Sequence, residues 1–144
     1  MRNVGQKEGN FNNGVLYYLK ISILWCFMFL KFKEPPTVLP LTFGQEVMNE
    51  GQFAQVVCIV TKGDEPLSIT WSLHGKVVSS EPGLSTNTLG TRTSMLTIQS
   101  IGYRHSGLYT CTASNTAGAR SQSVALKVNG THSNLIKKEA QERG

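Results

Sequence analysis

The sequence predicts an all-β, two-sheet sandwich over residues 35–130, and three observations carry that expectation. Apolar and polar residues alternate with a period of two and never with a helical one, and clusters of Gly, Pro, Asn and Asp cut that pattern into short segments. The third is the order Cys58, Trp71, Tyr109, Cys111, each at an inward position of its segment. If the two cysteines sit on opposing sheets and both point inward, a disulfide can span the core with Trp71 packed against it.

Pro35-Pro36 opens the domain, because proline favours extended backbone and is tolerated on edge strands. Val38, Leu39 and residues 41–43 are expected to form a first strand, split by Pro40. After the turn Asn49-Glu50-Gly51, residues 53–60 read as a strand with Ala54, Val56, Cys58 and Val60 facing in and Val57 and Ile59 facing out. The cluster Lys62-Gly63-Asp64-Glu65-Pro66 is a turn, and the strand after it turns Ile69, Trp71 and Leu73 inward. His74-Gly75 leads to a short strand at residues 76–78, which Glu81-Pro82-Gly83 ends. Only 24 residues separate Trp71 from Leu96, room for that short strand and one more. Residues 94–99 place Leu96 and Ile98 inward and Met95, Thr97 and Gln99 outward. Residues 108–114 carry Tyr109 and Cys111 on one inward face, and the turn upstream offers backbone partners for a buried tyrosine hydroxyl. Asn115-Thr116-Ala117-Gly118 is a hairpin loop with Gly118 left-handed, and residues 120–128 close the sheet with Val124, Leu126 and Val128 inward.

The flanks differ. Residues 1–34 form an apolar leader: residues 1–14 are rich in Gly and Asn, have no period and read as disordered, and residues 15–32 are apolar except at Lys20, Ser22 and Lys31. The unbroken apolar core, residues 23–30, is shorter than the roughly 20 residues of a membrane span, and no small-residue cleavage site follows it. Three readings stay open: an uncleaved signal anchor that meets the membrane through residues 15–32, a signal peptide with an unrecognised site, and an extension foreign to the mature protein. Cys26, inside this run, reads as a free thiol. Residues 131–144 read as a polar, disordered tail.

The net charge of +5 is carried by the flanks. Residues 35–130 hold 6 Lys/Arg against 5 Asp/Glu, so a clustered basic footprint for nucleic acid is excluded. His74, His105 and His132 have no zinc spacing to any cysteine, which implies no metal or other cofactor. With no nucleophile elbow, phosphate-binding loop or paired carboxylates, the expectation is a binding module and not an enzyme.

The residues also carry a family resemblance. Two cysteines 53 positions apart, a tryptophan 13 after the first and a tyrosine two before the second resemble the core of an immunoglobulin-type sandwich. That resemblance implies a Cys58–Cys111 disulfide between the sheets. With Leu96, Ala113-Ser114-Asn115 and Gly118 added, residues 35–130 look like an intermediate-set (I-set) immunoglobulin domain of cell-adhesion receptors. More narrowly, Pro36-Thr37-Val38-Leu39-Pro40 and residues 49–71 resemble the alternatively spliced immunoglobulin domains of the arthropod Down syndrome cell adhesion molecules (Dscam). One departure is His105, where members commonly carry an aspartate that pairs with an arginine; Arg92 is therefore expected to lack its usual carboxylate.

The resemblance implies homophilic cell–cell recognition in neurons, for axon guidance and dendrite self-avoidance, at the outer side of the plasma membrane or after secretion. The partner would be an identical domain, or another immunoglobulin-superfamily adhesion protein. The alternatives are an immune receptor domain that binds foreign ligands, and a module of an intracellular filament protein with reduced cysteines, against which the apolar leader argues. For the homophilic case the candidate interface is Val57, Ile59, Met95, Thr97 and Gln99, with Gln55 at its rim. Asn129-Gly130-Thr131 is an N-glycosylation sequon, which makes Asn129 a candidate modification site.

Overall fold

The computed structural model describes residues 12–29 and 32–144. Residues 1–11, 30 and 31 lie outside these, and with them the disorder expected over residues 1–11. Two units are separate, Met1–Phe32 and Lys33–Gly144. In the first, α1 (Asn12–Phe29) begins inside the stretch expected to be irregular, because beyond Gly14 no Gly or Pro interrupts a run of Leu, Ile and aromatic residues. Leu16, Tyr17, Leu19, Ile23, Leu24 and Trp25 are exposed on it, and so is Cys26, which is a free thiol. Among the described residues no helix is long and apolar enough to cross a membrane.

The second unit is built on nine strands: β1 (Thr37–Val38), β2 (Val47–Asn49), β3 (Ala54–Lys62), β4 (Ser68–Leu73), β5 (Lys76–Val77), β6 (Leu84–Leu89), β7 (Thr93–Ile98), β8 (Gly107–Asn115) and β9 (Gly118–Asn129). They form a four-stranded sheet in the order β1-β3-β7-β6 and a five-stranded sheet in the order β2-β9-β8-β4-β5. Alternation along β3 buries Ala54, Val56, Cys58 and Val60, and along β7 it buries Ser94, Leu96 and Ile98. Trp71, Leu73, Tyr109, Cys111, Ala113 and Leu126 close the core from the other sheet.

Two links join the sheets side by side. Cys58 on β3 and Cys111 on β8 form a disulfide, with Cα atoms 6.3 Å apart. Trp71 sits opposite Cys111 in the β4–β8 ladder, Ser94 opposite Cys58 in the β3–β7 ladder, and the buried Trp71 Nε1–H donates to Ser94 Oγ at 2.9 Å. A hydroxyl that would otherwise be a costly buried polar group thus becomes a second bridge. Tyr109 is fully buried, and its hydroxyl donates to the His105 carbonyl at 2.7 Å. Burial, with the charge of Glu81 adding to it, pushes this phenol well above its ordinary value of 10.0.

Several expectations are corrected. The second half of the split first strand does not form: residues 41–43 are not in a strand, β1 pairs with β3, then the chain crosses, and β2 pairs in parallel with β9. Pro40 cannot donate to a ladder, and Leu41 and Phe43 pack on the core instead, the Phe43 ring meeting Tyr109 edge-on at 5.3 Å. The short strand stops at Val77, and Val78 turns into the core at the start of a single 3-10 turn. Gly118 adopts a φ of 151°, beyond the left-handed helical region but still glycine territory.

Arg92 does have a carboxylate: its Nε lies 3.8 Å from Glu65 Oε1, and its Nη2 donates to the Gly63 carbonyl at 2.8 Å. His105 accepts the Gly102 N–H on Nδ1 at 2.9 Å, so Nε2 carries the proton and donates to the Pro82 carbonyl at 3.2 Å. The tail is corrected too. Residues expected to be disordered form α2 (Thr131–Glu142), whose first turn is closed by Asn134 N–H on the Gly130 carbonyl at 3.1 Å. Leu, Lys, Glu, Ala and Gln are good helix formers, and absence of a strand pattern said nothing against a helix.

Candidate recognition face

The inward alternation that builds the core determines what stands outside. On the four-stranded sheet the outward positions are Gln55, Val57, Ile59 and Thr61 of β3, Thr93, Met95 and Thr97 of β7, and Ser85, Asn87 and Leu89 of β6. None of these named side chains is charged. The register sorts them into rows across the strands: Ile59, Thr93 and Leu89; Val57, Met95 and Asn87; Gln55, Thr97 and Ser85. Apolar character falls from the first row to the third. Leu39, bonded through its N–H to the Ile59 carbonyl at 3.0 Å, extends the first row beyond β3.

Of the residues expected from the sequence, Val57 and Met95 are direct cross-strand neighbours, Ile59 adjoins them, and Gln55 faces Thr97, its Nε2 reaching Thr97 Oγ1 at 3.5 Å. Val57 and Ile59 are each 39% exposed, and Met95 and Thr97 are half-buried. Gln99 lies one residue past β7 and outside its ladder, so it is not part of these rows. Leu89, 51% exposed, belongs to the face and was missed. Its place depends on the Leu89–Thr93 pairing across a three-residue turn, a register that alternation within either strand does not reveal. Thr93 was within reach of the same alternation that placed Met95.

The immunoglobulin domain signature matches residues 35–115. This chain belongs to the immunoglobulin domain family. It is similar to the cell adhesion molecule Dscam1 of Drosophila melanogaster, 43% identical over 96 residues that make up 66% of this chain and 5% of that protein. It is also similar to the cell adhesion molecule DSCAML1 of Mus musculus, 34% identical over 124 residues, 86% of this chain and 6% of that protein. The chain therefore spans about one-twentieth of the length of the relatives it matches. Among solved structures, the Dscam1 Ig7 domain, isoform 9, superposes with a TM-score of 0.64 at 42% identity, covering 66% of this chain and 100% of that one.

The outer face of this immunoglobulin domain's five-stranded sheet has a different chemistry. Two of its rows carry hydroxyls, Thr70, Thr112 and Ser121, then Ser72, Thr110 and Ser123, and around them stand the exposed apolar side chains of Val77 beside Ser72, Leu108 opposite Ala125 and Val47 beside Lys127. The hydroxyls pair across strands: Thr110 Oγ1 lies 2.7 Å from Ser123 Oγ, and Thr112 Oγ1 2.8 Å from Ser121 Oγ. Among the described residues no group of three or more His, Cys, Asp or Glu side chains is placed to hold a metal ion.

Proposed function

We propose that this immunoglobulin domain is a recognition module of a cell-adhesion receptor, and that it binds an identical copy through the outer face of its four-stranded sheet. The observation that carries this is the row of uncharged, partly apolar side chains on β3, β7 and β6 around Val57, Ile59 and Met95. In a two-fold contact each residue near the axis meets its own copy, so a surface free of charge avoids like-charge opposition. The partner strands are held by the disulfide and a packed core, so little order is lost on binding. An extracellular setting and a neuronal role in self-recognition, as the Dscam resemblance implies, belong to the same reading. One domain alone contributes modestly, and an array of such domains multiplies it.

Sedimentation of the folded domain tests this. Self-association is expected, and Met95→Lys is expected to abolish it while the melting temperature stays within a few degrees. Undiminished association of Met95→Lys would move the contact elsewhere.

A further inference from the structure

The last strand ends on Asn129, the acceptor position of Asn129-Gly130-Thr131. Pleat alternation settles which way it points. Val124, Leu126 and Val128 turn toward the core, so Asn129 stands with Lys127, Ala125, Ser123 and Ser121 on the outer face of the five-stranded sheet. Beside it in the parallel ladder is Asn49 of β2, and its carbonyl accepts the Glu50 N–H at 3.0 Å. The residue is exposed. The Glu50 side chain folds over Gly130 close enough that a Cβ there would displace it.

We propose that Asn129 carries an N-linked glycan, and that this glycan screens the hydroxyl-bearing face of the five-stranded sheet, leaving the four-stranded sheet as the face through which copies meet. The second half rests on the function proposed above. The reaction is a glycosyl transfer from a polyprenyl-pyrophosphate-linked oligosaccharide. Nδ2 of Asn129 bonds to the anomeric carbon as that carbon's bond to the pyrophosphate breaks, the pyrophosphate leaves with the electron pair, and an Nδ2 proton passes to a base of the transferase. From Asn129 the outward positions Lys127, Ala125 and Ser123 lie about 7, 14 and 20 Å back along the strand, so an oligosaccharide of several sugars reaches the row of Thr110 and Ser123. Those hydroxyls already pair with one another, and a sugar laid over them exchanges water for hydroxyl partners of the same kind. The face bearing Val57 and Met95 lies on the far side of a sandwich whose sheets are about 10 Å apart.

The test is the full chain secreted from a eukaryotic host behind a cleavable signal, with mass spectrometry before and after an amide-cleaving glycosidase. Release of an oligosaccharide with conversion of residue 129 to aspartate is expected. Asn129→Gln and Thr131→Ala should lose the modification and Thr131→Ser should keep it; a secreted, folded protein unmodified at Asn129 overturns the proposal. Met95→Asn completes a second acceptor sequence with Thr97 on the opposite face. Its glycan is expected to abolish self-association in sedimentation, with the same Met95→Asn chain made in a host that adds no glycan as the sugar-free control. Removing the Asn129 glycan is expected to change association less than twofold. If that glycan blocks association as fully as one at position 95, the screening half is overturned. If no form associates, with or without sugar, the screening half falls together with the proposed function, while the modification at Asn129 is still decided by the mass.

Discussion

The two outer faces of this sandwich share one core and one disulfide, yet they differ in what they offer a partner. Outside β3 and β7 stand Val57, Ile59 and Met95, whose apolar surface water leaves at a gain; outside β8 and β9 stand Thr110, Thr112, Ser121 and Ser123, whose hydroxyls are already satisfied by one another. A core constrains only every second residue of a strand. The alternate positions are free to diverge, and here the apolar side chains of one face adjoin one another across β3 and β7, whereas those of the other, Val77, Leu108 and Val47, lie around rows of paired hydroxyls.

That comparison can be broken outright by removing what the two faces share. Replacing Cys58 and Cys111 together by Ala opens a loop spanning 53 positions and is expected to cost about 4 kcal/mol of unfolding free energy in the chain-entropy model. Urea denaturation should show both faces lost in one transition, and a loss below about 1 kcal/mol would mean that packing alone holds the sheets in register.

A sharper version places the same charge on each face in turn. Met95→Lys is expected to weaken self-association at least a hundredfold, roughly 3 kcal/mol, while Ser123→Lys leaves it within about twofold. Equal effects from the two would erase the distinction between the faces.

The next effect concerns the second bridge between the sheets. Trp71→Phe removes the donor to Ser94 Oγ and leaves that hydroxyl buried without its partner, an expected loss of about 2 kcal/mol by denaturation. Ser94→Ala in the same background should recover part of it, because the stranded hydroxyl is then gone.

Tyr109→Phe is the smallest change, about 1 kcal/mol at neutral pH for the lost bond to the His105 carbonyl. It also carries a sign. Burial raises the Tyr109 phenol above its ordinary 10.0, so the folded state holds this proton where the unfolded chain releases it. The contribution is complete below pH 10 and declines as the pH climbs beyond it, by up to about 1.4 kcal/mol per pH unit. Tyr109→Phe should flatten that part of the alkaline stability profile, measured against the parent by chemical denaturation. Parallel profiles would place the alkaline loss elsewhere.

Period-two alternation, read with the spacing of Cys58, Trp71, Tyr109 and Cys111, was enough by itself to determine the class of fold, the inward face of β3, β4, β7, β8 and β9 and therefore the outward placing of Val57, Ile59 and Met95, because each is a local consequence of a pleated strand with one buried side. Tertiary structure decided whatever depends on register or on partners distant in sequence. β2 shows a single inward residue, Met48, and becomes a strand only because β9 lies beside it. Leu89 joins the candidate face through its pairing with Thr93, Arg92 recovers a carboxylate from Glu65 twenty-seven positions away, and Ser94 acquires its role from Trp71 in the opposite sheet. Alternation is a property of one strand, whereas these contacts are properties of two, and only the packed sandwich brings the second one near.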